Sequence, residues 1–234
     1  MDKKSAKILV VVAKEPVPGK VKTRLFPELS PEEAARLYSC FLQDRLREIS
    51  ALNGIDRAIA FTPEDARETF TALALDGFEL FAQRGKTLGE RLNNIFLEKF
   101  DRGYDAVSIV DSDSPDLPKS IIKESFQLLS SKQAEVVFGP CRDGGYYLVG
   151  MRKPYPELFR NIPWSTENVL TISLEKAQKM GLNVKLLSGW NDLDTFEDIL
   201  EYYNRYKDRP LSENWPGNKT FSYLLQLEKV TTAC

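Results

Sequence analysis

AEVVFGPCRDGGYYLVGM, residues 134–151, holds two strand-like runs, AEVVFGP (134–140) and GGYYLVGM (144–151), separated by only a few residues. A parallel pair of strands needs a crossover of roughly a dozen residues or more, so these two runs cannot form a parallel βαβ step. They require an antiparallel element in the sheet they join. Elsewhere the rhythm is different. KILVVVA (7–13), DRAIAFT (56–62), FELFAQ (78–83) and DAVSIVD (105–111) are short, apolar and β-rich, and longer amphipathic segments follow them. Ser30-Pro31-Glu32-Glu33 opens a helix with an N-cap serine, proline in the first turn and acids beside the positive helix end. Further helices are expected from Pro63, over Leu88–Phe100, from Pro118, around Glu167–Met180 and from Thr195, with a strand around 182–188. Repeated βα units with one interruption predict an α/β fold: a three-layer, Rossmann-like arrangement around a mixed, mostly parallel sheet. The expected organisation is one domain over residues 1–207, followed by a loop and short helix over 208–234.

Composition narrows the chemistry. The 234 residues include 32 Lys and Arg against 34 Asp and Glu, a formal charge of −2, which argues against a nucleic-acid or polybasic membrane binder. Histidine is absent, so Ser-His-Asp and Cys-His nucleophile systems, His-ligated zinc and imidazole acid–base catalysis are excluded. Catalysis must use carboxylates, Lys, Arg, Tyr, hydroxyls, backbone amides or an oxygen-held metal. Cys40, Cys141 and Cys234 form no CxxC, which points to a reducing cytoplasm rather than a disulfide scaffold. No apolar stretch approaches the roughly 20 residues of a membrane span, and the apolar run in MDKKSAKILVVVAKEP is too short for a signal peptide.

In α/β folds of this kind, ligands bind outside the carboxyl ends of the strands, and four motifs occupy such ends. VAKEPVPGKVKTRL (12–25) brings Lys14, Lys20, Lys22 and Arg24 together with Gly19 in one loop. Several cations with a close-approaching glycine suit a di- or triphosphate, although the Walker pattern GxxxxGK[ST] is not met. SIVDSDSPDLP (108–118) ends an apolar strand in Asp111 and Asp113. Carboxylates two apart in extended chain point to one side and can share a hard cation such as Mg²⁺ or Mn²⁺, whereas Asp116 reads as turn or helix-cap chemistry. GPCRDGGYYLVGM (139–151) offers Asp143 for a sugar or acceptor hydroxyl, or as a base, against the plain alternative of an Asp-Gly hairpin turn. GWNDLDTFEDI (189–199) offers Asp194, or Asp192, to complete a metal site across from Asp113, with Thr195 to Asp198 as a capping box. QRGKTLGERL (83–92) adds Gln83 and Arg91 at another strand-to-helix junction.

The five motifs, in this order, resemble those of a bacterial A-type glycosyltransferase-like family within the nucleotide-diphospho-sugar transferase superfamily, itself similar to phospholactate guanylyltransferases and molybdenum-cofactor nucleotidyltransferases. The resemblance covers roughly residues 7–200. It implies the nucleotide-diphospho-sugar transferase fold, a divalent metal and a nucleoside phosphate donor. It matches Lys14, Gly19, Lys20, Lys22 and Arg24 to the phosphate-binding loop and Asp113 to the metal. Asp111 stands where such relatives often carry a small residue.

These readings converge on a metal-dependent glycosyltransferase that takes a nucleotide-sugar and a small-molecule acceptor. Asp143 and Lys22 would be catalytic, Lys14, Gly19, Lys20, Lys22, Arg24, Gln83 and Arg91 nucleotide-binding, and Asp113, Asp111 and Asp194 metal-binding. The alternative is nucleotidyl transfer from a nucleoside triphosphate to a phosphorylated small molecule, with pyrophosphate release. A dehalogenase-type phosphatase is less consistent, because its strand-end DxD usually closes the first strand, and a nucleotide-binding regulator would not need its charged groups intact.

Overall fold

The computed structural model describes residues 6–26, 28–210 and 215–232, so the leading residues 1–5, part of the expected loop at 208–220 and Cys234 lie outside the described residues. The strands are β1 (Lys7–Lys14), β2 (Asp56–Thr62), β3 (Phe78–Ala82), β4 (Ala106–Val110), β5 (Val136–Pro140), β6 (Tyr146–Met151) and β7 (Val184–Leu186). They form one sheet in the order β3-β2-β1-β4-β6-β5-β7. All neighbouring pairs are parallel except the two made by β6, which runs antiparallel to β4 on one side and β5 on the other. The short 134–151 connection therefore places its antiparallel strand inside the sheet, not at its edge.

Alternation along β1 shows how the layers are built. Leu9, Val11 and Ala13 face one core, and Ile8 and Val10 the other, all of them buried. This two-sided burial is what a central strand of a parallel sheet requires. On the first face lie α1 (Pro31–Ser50), α2 (Arg67–Leu73), α4 (Lys119–Ser130), α6 (Phe196–Tyr206), α7 (Asn218–Leu224) and α8 (Glu228–Thr231). On the second lie α3 (Leu88–Asp101) and α5 (Val169–Lys179). No helix among the described residues is long and apolar enough to cross a membrane.

The helix starts follow their capping chemistry. The Ser30 hydroxyl accepts from Glu33 N at 3.2 Å, and the Glu33 carboxylate accepts from Ser30 N at 2.7 Å, closing the box that opens α1. Thr195 and Asp198 repeat it at α6. Two expected starts move: α2 begins at Arg67, after a turn that includes Pro63, and Pro118 caps α4 without a side-chain bond.

The C-terminal helices are tied to α1 by charge. Asp44, fully buried, accepts from Lys219 N at 3.0 Å and Thr220 N at 2.7 Å, satisfying first-turn amides of α7. Asp44→Ala strands both donors in the interior and is expected to cost about 3 kcal/mol, lowering the melting temperature by roughly 5–10 °C in calorimetry. A shift below 2 °C would show that Asp44 does not hold these helices.

Candidate functional site

Because β6 alone runs in reverse, the carboxyl ends of the other six strands and the start of β6 meet at one edge. A cleft of about 380 Å³ opens there. It is lined by Lys14, Lys22, Gln83, Arg91, Asp111, Asp113, Asp143, Asp192 and Asp194 among the residues singled out from sequence. Gly19, Lys20 and Arg24 do not line it.

Lys22 is the junction of the site. Its backbone is left-handed (φ 50°), a conformation that costs a non-glycine residue and turns the side chain inward. The buried ammonium contacts Asp113 Oδ1 at 2.6 Å and Asp194 Oδ1 at 3.5 Å, and donates to the Leu193 carbonyl at 2.9 Å. Burial pulls its pKa down, but the Asp113 and Asp194 carboxylates outweigh that and leave it raised, so the group is charged. Arg24, mostly exposed, contacts Asp194 Oδ2 at 2.7 Å. Two cations of the first loop are thus paired with acids from other loops.

Behind them lies Asp111. Its Oδ2 accepts from Ser114 Oγ at 2.8 Å, while its Oδ1 is buried with no hydrogen-bond partner. Burial and then the neighbouring Asp113 push its pKa up to about 8, against the opposing pull of Arg45. Asp192 is likewise pushed up to about 6, by burial and then by Asp143. A buried carboxylate oxygen without a partner, set among further carboxylates, fits a hard divalent cation that takes oxygen ligands. Asp143 Oδ1 accepts from Gly145 N at 2.8 Å, which is the turn chemistry of an Asp-Gly-Gly loop. Ligand atoms of Cys141, Asp143 and Asp192 also lie within 4.8 Å of one another. Burial raises the Cys141 thiol, which keeps it protonated and a poor partner for such a cation.

Other expected residues have structural work. The Gln83 amide donates to the Ala60 and Ala13 carbonyls at 2.8 and 3.3 Å, bridging the ends of β2 and β1. Arg91 Nε donates to the Gly85 carbonyl at 3.1 Å. Asp116 does not cap α4. It is buried and accepts from Trp190 Nε1 at 2.9 Å and Tyr206 OH at 2.8 Å, joining the loop after β4 to α6. Arg45, fully buried on α1, donates to the Ser114 and Leu117 carbonyls and so fixes the same loop. Sequence reasoning missed Trp164, Ser165 and Thr166, which line the cleft from the segment before α5, and Tyr38, whose hydroxyl bonds Ser112 Oγ at 2.8 Å and accepts from Lys14 N at 3.0 Å. Ser-Thr after Trp, just before a helix, was the one available signal for the former.

The strand order, the reversed β6 and the strand-end cleft define a nucleotide-diphospho-sugar transferase fold. The chain is similar in structure to a candidate nucleotide-diphospho-sugar transferase from Desulfovibrio desulfuricans G20 (TM-score 0.89), with 33% sequence identity and 98% of each chain covered. The fold is shared more distantly, at 10% identity and TM-score 0.56, with a CMP:2-keto-3-deoxy-manno-octonic acid synthetase complexed with CTP (87% of this chain, 100% of that one). It is shared at 13% identity and TM-score 0.56 with the 4-diphosphocytidyl-2C-methyl-D-erythritol synthase of Anaerococcus prevotii DSM 20548 (87% and 97%). Residues 45–166 match the model of DUF2064, described as uncharacterized protein conserved in bacteria, and the chain belongs to that family. No curated protein matches it in sequence.

The raised Asp111 pKa has a signed consequence. The folded protein holds that proton up to about pH 8, whereas an unfolded aspartate releases it near pH 4. Folding therefore takes up a proton in this window, and Asp111 lowers stability progressively as pH rises through it. Asp111→Asn, melted in EDTA, should exceed the parent's melting temperature by a margin that widens from pH 5 to pH 8. A constant margin, or a loss at pH 8, would contradict the assignment.

Proposed function

We propose that the protein is a divalent-cation-dependent transferase that uses a nucleotide-diphospho-sugar and passes the sugar to a small-molecule acceptor. The observation that carries this reading is the convergence of Lys22, Asp113 and Asp194 on the cleft floor, with the partnerless Asp111 oxygen behind them. Asp111, Asp113 and Asp194 would hold the cation, which when bound would neutralise the diphosphate leaving group. On ligand binding, Lys22 exchanges its carboxylate partners for phosphate oxygens and stabilises the charge that develops there. Lys14 and Arg91 flank the nucleotide, Gln83 shapes its bed, and Arg24 keeps Asp194 in place. Gly19 and Lys20 form the turn that delivers Lys22, through the Lys20 N–H to Val17 carbonyl bond of 3.0 Å. Asp143, with one oxygen spent on Gly145, keeps the other for an acceptor hydroxyl.

Nucleotidyl transfer is the second reading, favoured by the basic loop after β1, although Lys22 and Arg24 are already paired with acids. The two reactions differ in product. Glycosyl transfer releases a nucleoside diphosphate, and nucleotidyl transfer releases pyrophosphate from a triphosphate.

In thermal-shift assays, Asp113→Asn should lower the melting temperature of the unliganded protein without unfolding it, because Lys22 loses a partner, and should abolish the Mg²⁺- or Mn²⁺-dependent part of nucleotide stabilisation. Lys22→Ala should weaken nucleotide binding about tenfold, or about 1.4 kcal/mol, and retain the metal dependence. Full metal-dependent stabilisation of Asp113→Asn would refute the metal assignment, and unchanged affinity in Lys22→Ala would refute the phosphate role.

A further inference from the structure

One corner of the cleft is built from aromatic rings, hydroxyls and carboxylates. Tyr146 and Trp164 meet edge to face there, with ring centroids 6.3 Å apart and planes at 77°. Ser165 and Thr166 continue the wall, and Asp143 and Asp192 complete the corner.

The wall is rigid for identifiable reasons. A Cβ at Gly89 on α3 would sit 2.5 Å from the Phe159 carbonyl oxygen and 2.9 Å from Trp164 Nε1, so α3 packs directly on the indole. A Cβ at Gly144 would sit 2.0 Å from the Glu167 carbonyl oxygen, and the Gly144 carbonyl accepts from Leu170 N at 2.9 Å. The loop that carries Asp143 is thereby locked to the segment that carries Trp164. Thr166 Oγ1 donates to the Pro163 carbonyl at 2.7 Å, and Ser165 is held left-handed at φ 65°. Strain of that kind persists only where the surroundings impose it.

Charge then selects the ligand. Arg142, the cation nearest in sequence, is turned to Glu201 of α6 at 2.9 Å and does not line the cleft. Arg91, on α3, is drawn to the Gly85 carbonyl beside β3. Two carboxylates, two hydroxyls and two aromatic rings suit the alternating faces of a sugar. Aromatic surface covers its C–H face, and carboxylates accept from its hydroxyls. A phosphate in the same place would face Asp143 and Asp192, while the cation that acts on Asp192, Lys22, is already held by Asp113 at 2.6 Å and Asp194 at 3.5 Å. We propose that the Tyr146–Trp164 corner is a subsite for an uncharged, polyhydroxylated ring, so that the acceptor is a neutral glycoside or cyclitol and not a sugar phosphate. The inference rests on the transferase reading of the cleft, and it favours glycosyl over nucleotidyl transfer within it.

Matched probes test it. Methyl α-glucoside, α-mannoside and α-galactoside differ from glucose, mannose and galactose 1-phosphates chiefly in the group on the anomeric oxygen. Saturation-transfer NMR titrations of the full chain, with and without Mg²⁺ and nucleoside diphosphates, should show at least one methyl glycoside binding at least tenfold more tightly than its 1-phosphate. Trp164→Ala should lose that binding tenfold or more, and Trp164→Phe should keep it. Tighter binding of the 1-phosphates, no binding of any methyl glycoside, or parental binding in Trp164→Ala would each overturn the proposal. The pairwise preference needs no variant, so it stands even where Trp164→Ala fails to fold. The nucleotide reading has its own readout in the same samples: absence of any nucleotide-induced rise in melting temperature would count against the transferase, while the glycoside comparison still decides the subsite.

Discussion

A lysine ammonium taken out of water costs several kcal/mol unless opposite charge and hydrogen bonds replace its solvation. Lys22 meets that requirement with Asp113, Asp194 and the Leu193 carbonyl. Lys22 and these partners bring together three loops far apart in sequence: the one after β1, which carries Lys22, the one after β4, which carries Asp113, and the one between β7 and α6, which carries Leu193 and Asp194. The Leu193 N–H in turn donates to the Asp113 carbonyl at 3.0 Å, so the second and third loops are also joined to each other. One buried charge thus holds the mouths of the strands in register, and the cleft takes its shape from it. In the proposed reaction a ligand phosphate would replace the two crowded carboxylates as the partner of Lys22, and their release would leave those acids able to take a cation.

Around this centre the fold adds a layer of buried charges that face loops. Arg45 holds the carbonyls of Ser114 and Leu117, Asp116 holds Trp190 and Tyr206, and Asp44 holds the first turn of α7. All three are charged side chains taken almost wholly out of water. Their common effect is to connect the strand-end loops to α1, α6 and α7, so the site and the C-terminal helices are mechanically one structure.

Much of the fold was legible because local chemistry and global architecture agree. The few residues between the runs at 134–140 and 144–151 forbid a crossover helix, and β6 is antiparallel for that reason. Ser30 with Glu33, and Thr195 with Asp198, start helices where their side chains can satisfy backbone amides. The cleft was legible only in part. Lys22, Asp113 and Asp194 could be named from motifs, but their pairing depends on loops brought together by the sheet order, which no local pattern encodes. Asp116 does lie in the turn that its Ser-Pro-Asp setting predicts, but its partners, Trp190 and Tyr206, lie far along the chain and no local pattern announces them. Trp164 carried only a weak local signal, the Ser-Thr that follows it just before a helix. An aromatic residue in a loop carries no periodicity, and only the packing of Gly89 and Gly144 around its segment reveals a wall.

On the proposed function, Lys22 and the strand-end acids form one nucleotide-diphosphate and cation site. Crystals grown with Mn²⁺ and a nucleoside diphosphate, measured for anomalous scattering at the manganese edge, test it most directly. The account predicts a manganese peak at roughly 2.1 Å from an Asp113 carboxylate oxygen, the distance expected for a small divalent cation, with Lys22 Nζ moved from Asp113 to a phosphate oxygen. A nucleotide bound with its phosphates away from Lys22, or a manganese ion bound away from Asp113, would contradict it.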